Sequence, residues 1–233
     1  MPVKREGDNL TSTVVDRVAT ANGELVLRRD GAHFEIISNG TFLMDTRDGT
    51  SERLLVRAAV AALPGTGLRV LVGGLGVGFS LGEAAAHPAV GHVTVVEREA
   101  PVIAWQRGPL APFSGHALYD PKVEVRQADL VAWAHDSGAS GGHEAVETFD
   151  ALCLDIDNGP DWTVTDSNRS LYGEAGLRAL RRRLAPGGVL AVWSAAASPE
   201  FEKRLGTVFA RVQVEEIPVR VPRGVPDVVY LAS

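Results

Sequence analysis

RVLVGGLGVGFSLGE, Arg69 to Glu83, passes from an apolar run through a burst of glycines into a helix-forming sequence. A strand that enters a helix through glycines is a ligand-binding turn or a tight structural corner, and the spacing discriminates among ligands. A dinucleotide fingerprint, G-x-G-x-x-G, requires glycine where Phe79 stands. A Walker loop requires Lys-Ser or Lys-Thr after the glycines, and neither follows. What remains is G-x-G-x-G at Gly74, Gly76 and Gly78. There the backbone passes close to a nucleoside, or simply turns a corner.

Around this loop, apolar strands alternate with helices, the pattern of a parallel sheet. LRVLVGG, HVTVVE, KVEVRQ, FDALCLDI and GVLAVWSA read as strands, and VQVEEIPVRV and DVVYLAS close the chain. FSLGEAAAH, EAPVIAWQR, DLVAWAHD and YGEAGLRALRRRLA read as the intervening helices. PEFEKRLGTVFA follows with Ser198 as N-cap and Pro199 in the first turn. The expected fold class is α/β, with a Rossmann-like seven-stranded sheet. Upstream, Asp30-Gly31 and Asn39-Gly40 are turn signals between short β-rich runs, a small N-terminal β meander of two or three strands. SERLLVRAAVAAL is a helix ended by Pro64-Gly65. The expected organisation is a flexible lead-in over 1–23, the meander over 24–50, and a ligand-binding α/β domain over 51–233. DSGASGGHEAVE, Asp136 to Glu147, reads as a surface loop or frayed helix end.

Ligands of doubly wound sheets sit beyond the carboxyl ends of the strands, so the residues that finish each strand are informative. Glu97 ends the strand after the glycine loop, where a carboxylate accepts both hydroxyls of a ribose. It is equally an acid at the start of a helix, where acids are favoured. Asp129 accepts an adenine amino group, or merely caps the helix that follows. Asp155, Asp157 and Asn158 crowd the end of FDALCLDI, with Gly159-Pro160 holding the backbone out of a helix. Turn formation explains such residues too. A carboxylate at a buried strand end is nonetheless costly unless paired or used, which favours a functional Asp155. Asn168 and Tyr172 follow on the next loop and helix start, where they can roof the same site.

The bulk numbers exclude several classes. A chain of 233 residues with 45% hydrophobic and 22% charged residues suits one folded α/β domain with a small appendage. A net charge of −6 disfavours nucleic acid or an anionic membrane as main partner. The basic run RALRRRLAPGG reads as the solvated face and last turn of a helix. The single cysteine, Cys153, lies between strand leucines as a small buried hydrophobe, which fits a reducing cytoplasm. MPVKREGDNLTS has no apolar signal region and no stretch reaches membrane-span length, so a cytoplasmic location is expected. The six histidines show no metal-ligand spacing and no serine sits in a G-x-S-x-G elbow, which disfavours metal and serine hydrolysis. No metal is expected.

From about Glu24 to about Trp193 the chain resembles the spermidine synthase-like family of S-adenosylmethionine-dependent transferases, with their class I methyltransferase fold. LRRDGAHFEIISNGTFLM, SERLL, VLVGGLGVGFSLGEAAAHPAVGHVTVVEREAPVIAW, FDALCLDIDNGP and LAPGGVLAVW carry the likeness. The resemblance implies that Glu97 holds the ribose, Asp129 the adenine end and Asp155 the reacting amine. It also implies a homodimer. The chain departs from the family's aminopropyltransferases at their signature positions. Their loop G-G-G-D-G-G has its acid where Gly76 stands, the second acid of D-S-S-D-P falls on Asn158, and Tyr-His-Glu or Tyr-Gln-Glu becomes Thr50-Ser51-Glu52, keeping Glu52. An acidic pocket selects the bare ammonium of decarboxylated S-adenosylmethionine over the zwitterionic parent. Thinning that pocket leaves the backbone N–H groups of Gly74 to Gly78 for a carboxylate. The expected function is therefore methyl transfer from S-adenosylmethionine to a small-molecule amine or hydroxyl. Asp155 or Asp157 would orient or deprotonate the acceptor, with Tyr172 lining the pocket. The alternative is a divergent aminopropyltransferase using decarboxylated S-adenosylmethionine. A metal-dependent O-methyltransferase is disfavoured, because WSAAASPE offers only Glu200 as a further ligand.

Overall fold

The computed structural model describes residues 12–136, 146–218 and 225–233. The chain divides into two compact units after Asp48. The first unit is an antiparallel meander of β1 (Thr13–Thr20), β2 (Gly23–Asp30), β3 (His33–Ser38) and β4 (Thr41–Asp45), in that spatial order. Asn39 and Gly40 both have positive φ, +50° and +77°, the hairpin geometry that matches strand twist. The meander has one strand more than expected, and β1 lies in the stretch read as a lead-in. That strand is an edge with mostly exposed residues, so its hydrophobic alternation is faint. The signal that marks it is Asn22-Gly23, the turn that pairs Thr20 with Gly23.

The second unit, Gly49–Ser233, has a seven-stranded sheet in the order β10-β11-β9-β8-β5-β6-β7. Its parallel members are β5 (Leu68–Gly73), β6 (Val90–Glu97), β7 (Val123–Gln127), β8 (Phe149–Leu154) and β9 (Leu184–Ser194). β10 (Val212–Ile217) and β11 (Asp227–Ala232) are antiparallel additions, and β11 pairs with β9. The helices are α1 (Thr50–Ala61), α2 (Phe79–Ala86), α3 (Ala100–Gln106), α4 (Leu130–His135), α5 (Glu174–Arg182) and α6 (Pro199–Val208). The α6 start matches its sequence signal, since Ser198 Oγ accepts from the Phe201 N–H at 3.2 Å. Residues 137–145, most of the Gly/Ser-rich stretch, lie outside the described residues.

Strand alternation sorts the sheet's side chains to two faces. Leu152, Leu154, Leu190, Val192, Val228 and Tyr230 share a core with α4, α5 and α6. The opposite face receives α1, which packs across β8, β9 and β11, and α2, which packs on β5 and β6, while α3 packs on β6. The chain leaves β5 toward β6 and β7, then returns to β8 on the other side. That reversal opens a crevice between the carboxyl ends of β5 and β8, where ligands of such sheets bind.

Candidate active site

The glycine loop is locked to the end of β8. Gly74 has φ +89°, and a Cβ there would lie 2.4 Å from the Asp155 carbonyl oxygen. Behind the loop, the buried Gln106 of α3 donates from Nε2 to the Gly76 carbonyl at 3.2 Å. Its amide also occupies the space a Cβ at Gly78 would need. The glycines therefore bring backbone close to backbone on one side and leave the other side to the crevice.

Glu97 closes the loop from β6. Its Oε2 accepts the Leu75 N–H at 2.9 Å and its Oε1 the Glu99 N–H at 2.7 Å. The reading as an acid at a helix start is seen directly, because Glu97 holds the start of α3, and each of its oxygens keeps a second lone pair. Burial pushes its carboxyl above the ordinary value, against the pull of those two N–H donors. Asp129 caps α4, its Oδ1 accepting from the Ala132 N–H at 3.0 Å. Its Oδ2 lies 3.9 Å from Arg98 Nη1. Arg98 follows Glu97 and reaches Thr165 Oγ1 at 3.5 Å, so it links the β6 end to the connection after β8.

Asp155 continues β8 beyond its last strand residue, donating its N–H to the Gly73 carbonyl at 2.9 Å. Its Oδ2 accepts from Ser80 Oγ, in the first turn of α2, at 3.0 Å. The same hydroxyl lies 3.3 Å from the Glu52 backbone carbonyl, which brings the first turn of α1 to this point. Burial raises Glu52 to about 8, and the charges of Asp155 and Asp227 add to it. Burial likewise raises Asp155 to about 6, with Asp227 adding and the Ser80 hydroxyl opposing. Glu52, Asp155 and Asp227 thus form one electrostatic group drawn from α1, β8 and β11.

Asp157 and Tyr172 are turned toward each other. Asp157, 6% exposed, accepts from the Val164 N–H at 2.6 Å, Asn168 Nδ2 at 3.0 Å and the Tyr172 hydroxyl at 2.8 Å. Tyr172 is buried and meets Phe201 edge to face. Asp157, Asn168 and Tyr172 make a knot that fastens the connection between β8 and α5. This differs from the expected roof, because the oxygens that would face a ligand are spent on one another.

Asp227 escaped the sequence reading, which searched the residues that finish strands. β11 runs antiparallel, so its first residue lies on the ligand rim. The visible signal was an acid heading an otherwise apolar strand, DVVYLA. Among the described residues, no His, Cys, Asp or Glu group is placed to hold a metal ion, and no helix is long and apolar enough to cross a membrane.

The seven-stranded sheet order, with a glycine loop at its switch point, is the fold of the class I S-adenosylmethionine-dependent transferases in its spermidine synthase-like form. The comparisons agree with that class. Polyamine aminopropyltransferase 1 of Streptomyces coelicolor is 31% identical over 198 residues, covering 73% of this chain and 35% of that protein. Polyamine aminopropyltransferase 2 of Ralstonia nicotianae is 26% identical over 194 residues, covering 82% and 35%. The chain thus spans about a third of the length of these curated relatives. A spermidine synthase solved in complex with the transition state analogue AdoDATO superposes with TM-score 0.75 at 17% identity, covering 94% of this chain and 73% of that one. Human methyltransferase-like protein 13, solved with SAH, superposes with TM-score 0.59 at 19% identity, covering 78% and 82%. No family model matches the chain.

These relatives overturn the expectation of methyl transfer, since the curated homologues carry the name polyamine aminopropyltransferase. The physical fault lay in counting acids only at the family's signature positions. Gly76 and Asn158 were taken as a net loss of negative charge, whereas Asp227 joins Asp155 and Glu52 from a distant part of the chain.

Proposed function

We propose that the α/β unit transfers an aminopropyl group from decarboxylated S-adenosylmethionine to a small amine. The observation that supports this reading is the group of three carboxylates, Glu52, Asp155 and Asp227, two of them raised to about 8 and about 6. Buried carboxyls that repel one another gain most from a cationic guest, which lets them ionise together. A substrate carboxylate in the same place would be repelled.

The residues fit the donor. Glu97 has lone pairs for ribose hydroxyls, Asp129 Oδ2 and Arg98 stand at the adenine end, and the loop at Gly74, Gly76 and Gly78 brings backbone against the nucleoside. The acceptor nitrogen attacks the propyl carbon bound to sulfur. The C–N bond forms as the C–S bond breaks, the bonding pair goes to sulfur, and methylthioadenosine leaves as a neutral thioether. The proton lost by the nitrogen passes to Asp155. A carboxylate near 6 is a better base than an ordinary aspartate and is still mostly ionised at pH 7. Asp157 and Tyr172 act indirectly here, holding the strand end that presents Asp155. Because the one cysteine is a buried thiol, a reducing compartment such as the cytoplasm suits the chain.

Thermal shift and calorimetry with the two donors test the reading, together with product analysis on an alkyl diamine. Decarboxylated S-adenosylmethionine should bind at least tenfold more tightly than S-adenosylmethionine, with methylthioadenosine as product. Asp155→Asn should lower kcat by roughly 10²–10⁴. Preferential binding of the intact donor, with S-adenosylhomocysteine as product, overturns it.

A further inference from the structure

β10 is the outermost strand of the seven-stranded sheet, and no strand flanks its far side among the described residues. Gln213, Val214, Glu215 and Glu216 are exposed along it, and so is Arg211 just before it. Arg211 and Ser233 exchange backbone hydrogen bonds at 2.9 and 3.0 Å, so Arg211 turns its N–H and carbonyl toward β11. Alternation along the ladder turns those of Gln213 and Glu215 the same way and leaves those of Val212, Val214 and Glu216 to the open edge. Side chains alternate as well. Val212 packs against the core under α5 and α6, so Val214 is on that face, while Arg211, Gln213 and Glu215 are on the other.

An open edge is a template for another strand, and exposed charges commonly prevent that pairing. The charges of this edge are instead complementary to themselves. An antiparallel copy of β10 continues the sheet only if outward-turned residues of one chain meet outward-turned residues of the other. With a two-fold axis through Gln213, Val212 meets the partner's Val214 and Arg211 meets the partner's Glu215. The Arg–Glu couple then falls at a position without mutual backbone bonds, where Cα atoms stand about 4.5 Å apart, the closer of the two spacings. An axis at Val212 sets Arg211 against the partner's Gln213, and an axis at Val214 sets Val212 against the partner's Glu216. Neither couples the charges. Within their own chain, Arg211 and Glu215 have no ion-pair partner among the described residues. The groove between α6 and β10, lined in part by Gly206, Ala210 and Val212, is open where the partner's Val214 would arrive.

We infer that the β10 edge is a docking surface for a second copy of this chain, the two β10 strands pairing antiparallel about an axis at Gln213. The contact is isologous, so each Arg–Glu couple and each Val–Val couple occurs twice. One sheet then runs through both copies, with valines meeting on the α6 face and charges on the α1 face. The inference does not depend on the reaction proposed above, because β10 lies at the edge of the sheet farthest from β6 and β7 and none of its residues belongs to the site.

Analytical ultracentrifugation of the full chain over a concentration series tests the interface. The wild-type chain should reach a dimer. Arg211→Glu sets like charges opposite one another across the axis, and so does Glu215→Arg, so each alone should weaken association at least tenfold. An equimolar mixture of the two variants restores opposite charges at both couples and should associate within about threefold of wild type, as should the chain carrying both substitutions. Melting curves of the dilute variants establish that they are folded. Val214→Pro removes an N–H that β11 does not use, and serves as a second edge-blocking variant if a charge variant melts early. A wild-type chain that stays monomeric at every concentration overturns the inference. A dimer that none of these substitutions weakens overturns it as well, because the contact then lies elsewhere. Single variants that both dissociate, with a mixture no better than either, overturn the register at Gln213.

Discussion

Asp155 and Asp157 are two residues apart, at the end of the same strand, and have opposite environments. Asp157 is saturated by donors from Val164, Asn168 and Tyr172, while Asp155 has one hydroxyl and two acidic neighbours. Burial raises both, but only Asp157 has three donors opposing the shift. This division makes Asp157 a fastening and leaves Asp155 open to the role of base proposed above. Removing one donor from a buried carboxylate costs about 1–3 kcal/mol. Tyr172→Phe should therefore lower Tm by roughly 2–4 °C for each kcal/mol lost, measured by calorimetric melting. An unchanged melting temperature would contradict the fastening role of that hydroxyl.

The strand–loop–helix from β5 to α2 is an element whose shape is set by contacts on its inner side. The Asp155 carbonyl fills the space beside Gly74, and Gln106 fills the space beside Gly78. A side chain at Gly74 meets both a positive φ and a backbone oxygen, neither of which can yield cheaply. Gly74→Ala should push the loop away from β8, weakening methylthioadenosine at least tenfold by calorimetry and lowering Tm. Tight ligand binding by that variant would mean that the loop does not contact the nucleoside. At this scale the glycine spacing was legible in the sequence, because turn geometry restricts residue type locally. The support from Gln106 was not, since α3 reaches the loop only after the sheet has formed.

Across the whole molecule, the carboxyl group at the rim couples proton binding to stability. Glu52 and Asp155 titrate near 8 and 6 when folded, against 4.5 and 3.8 as reference values. The folded state therefore holds more protons than the unfolded chain across the interval from about pH 4 to 8, and stability falls as pH rises through it. Glu35, Glu124 and Glu147 are lowered instead, and their contribution is lost only at more acid pH. Without ligand, Tm should decline from pH 6 to pH 8.5. Glu52→Gln should flatten that decline, and a bound diamine should do the same by drawing the protons off. A melting temperature that rises across this interval would contradict the buried-acid arrangement.

Much of the fold was legible along the chain. Apolar strands alternating with amphipathic helices specify a parallel α/β sheet, because each element must bury one face against the next. Glu97, Asp129 and Asp155 were legible for the same reason, since they follow strands whose carboxyl ends share one rim. The exposed edge strand β1 left little hydrophobic trace and was read as a lead-in. The charge balance of the pocket was decided only by tertiary structure. An antiparallel strand brings its first residue, Asp227, to the rim that parallel strands reach with their last, and a side chain from α1 completes the group. Local sequence determines which residues sit at strand ends. Strand direction and order determine which of those ends meet, and with them how many acids gather at one rim.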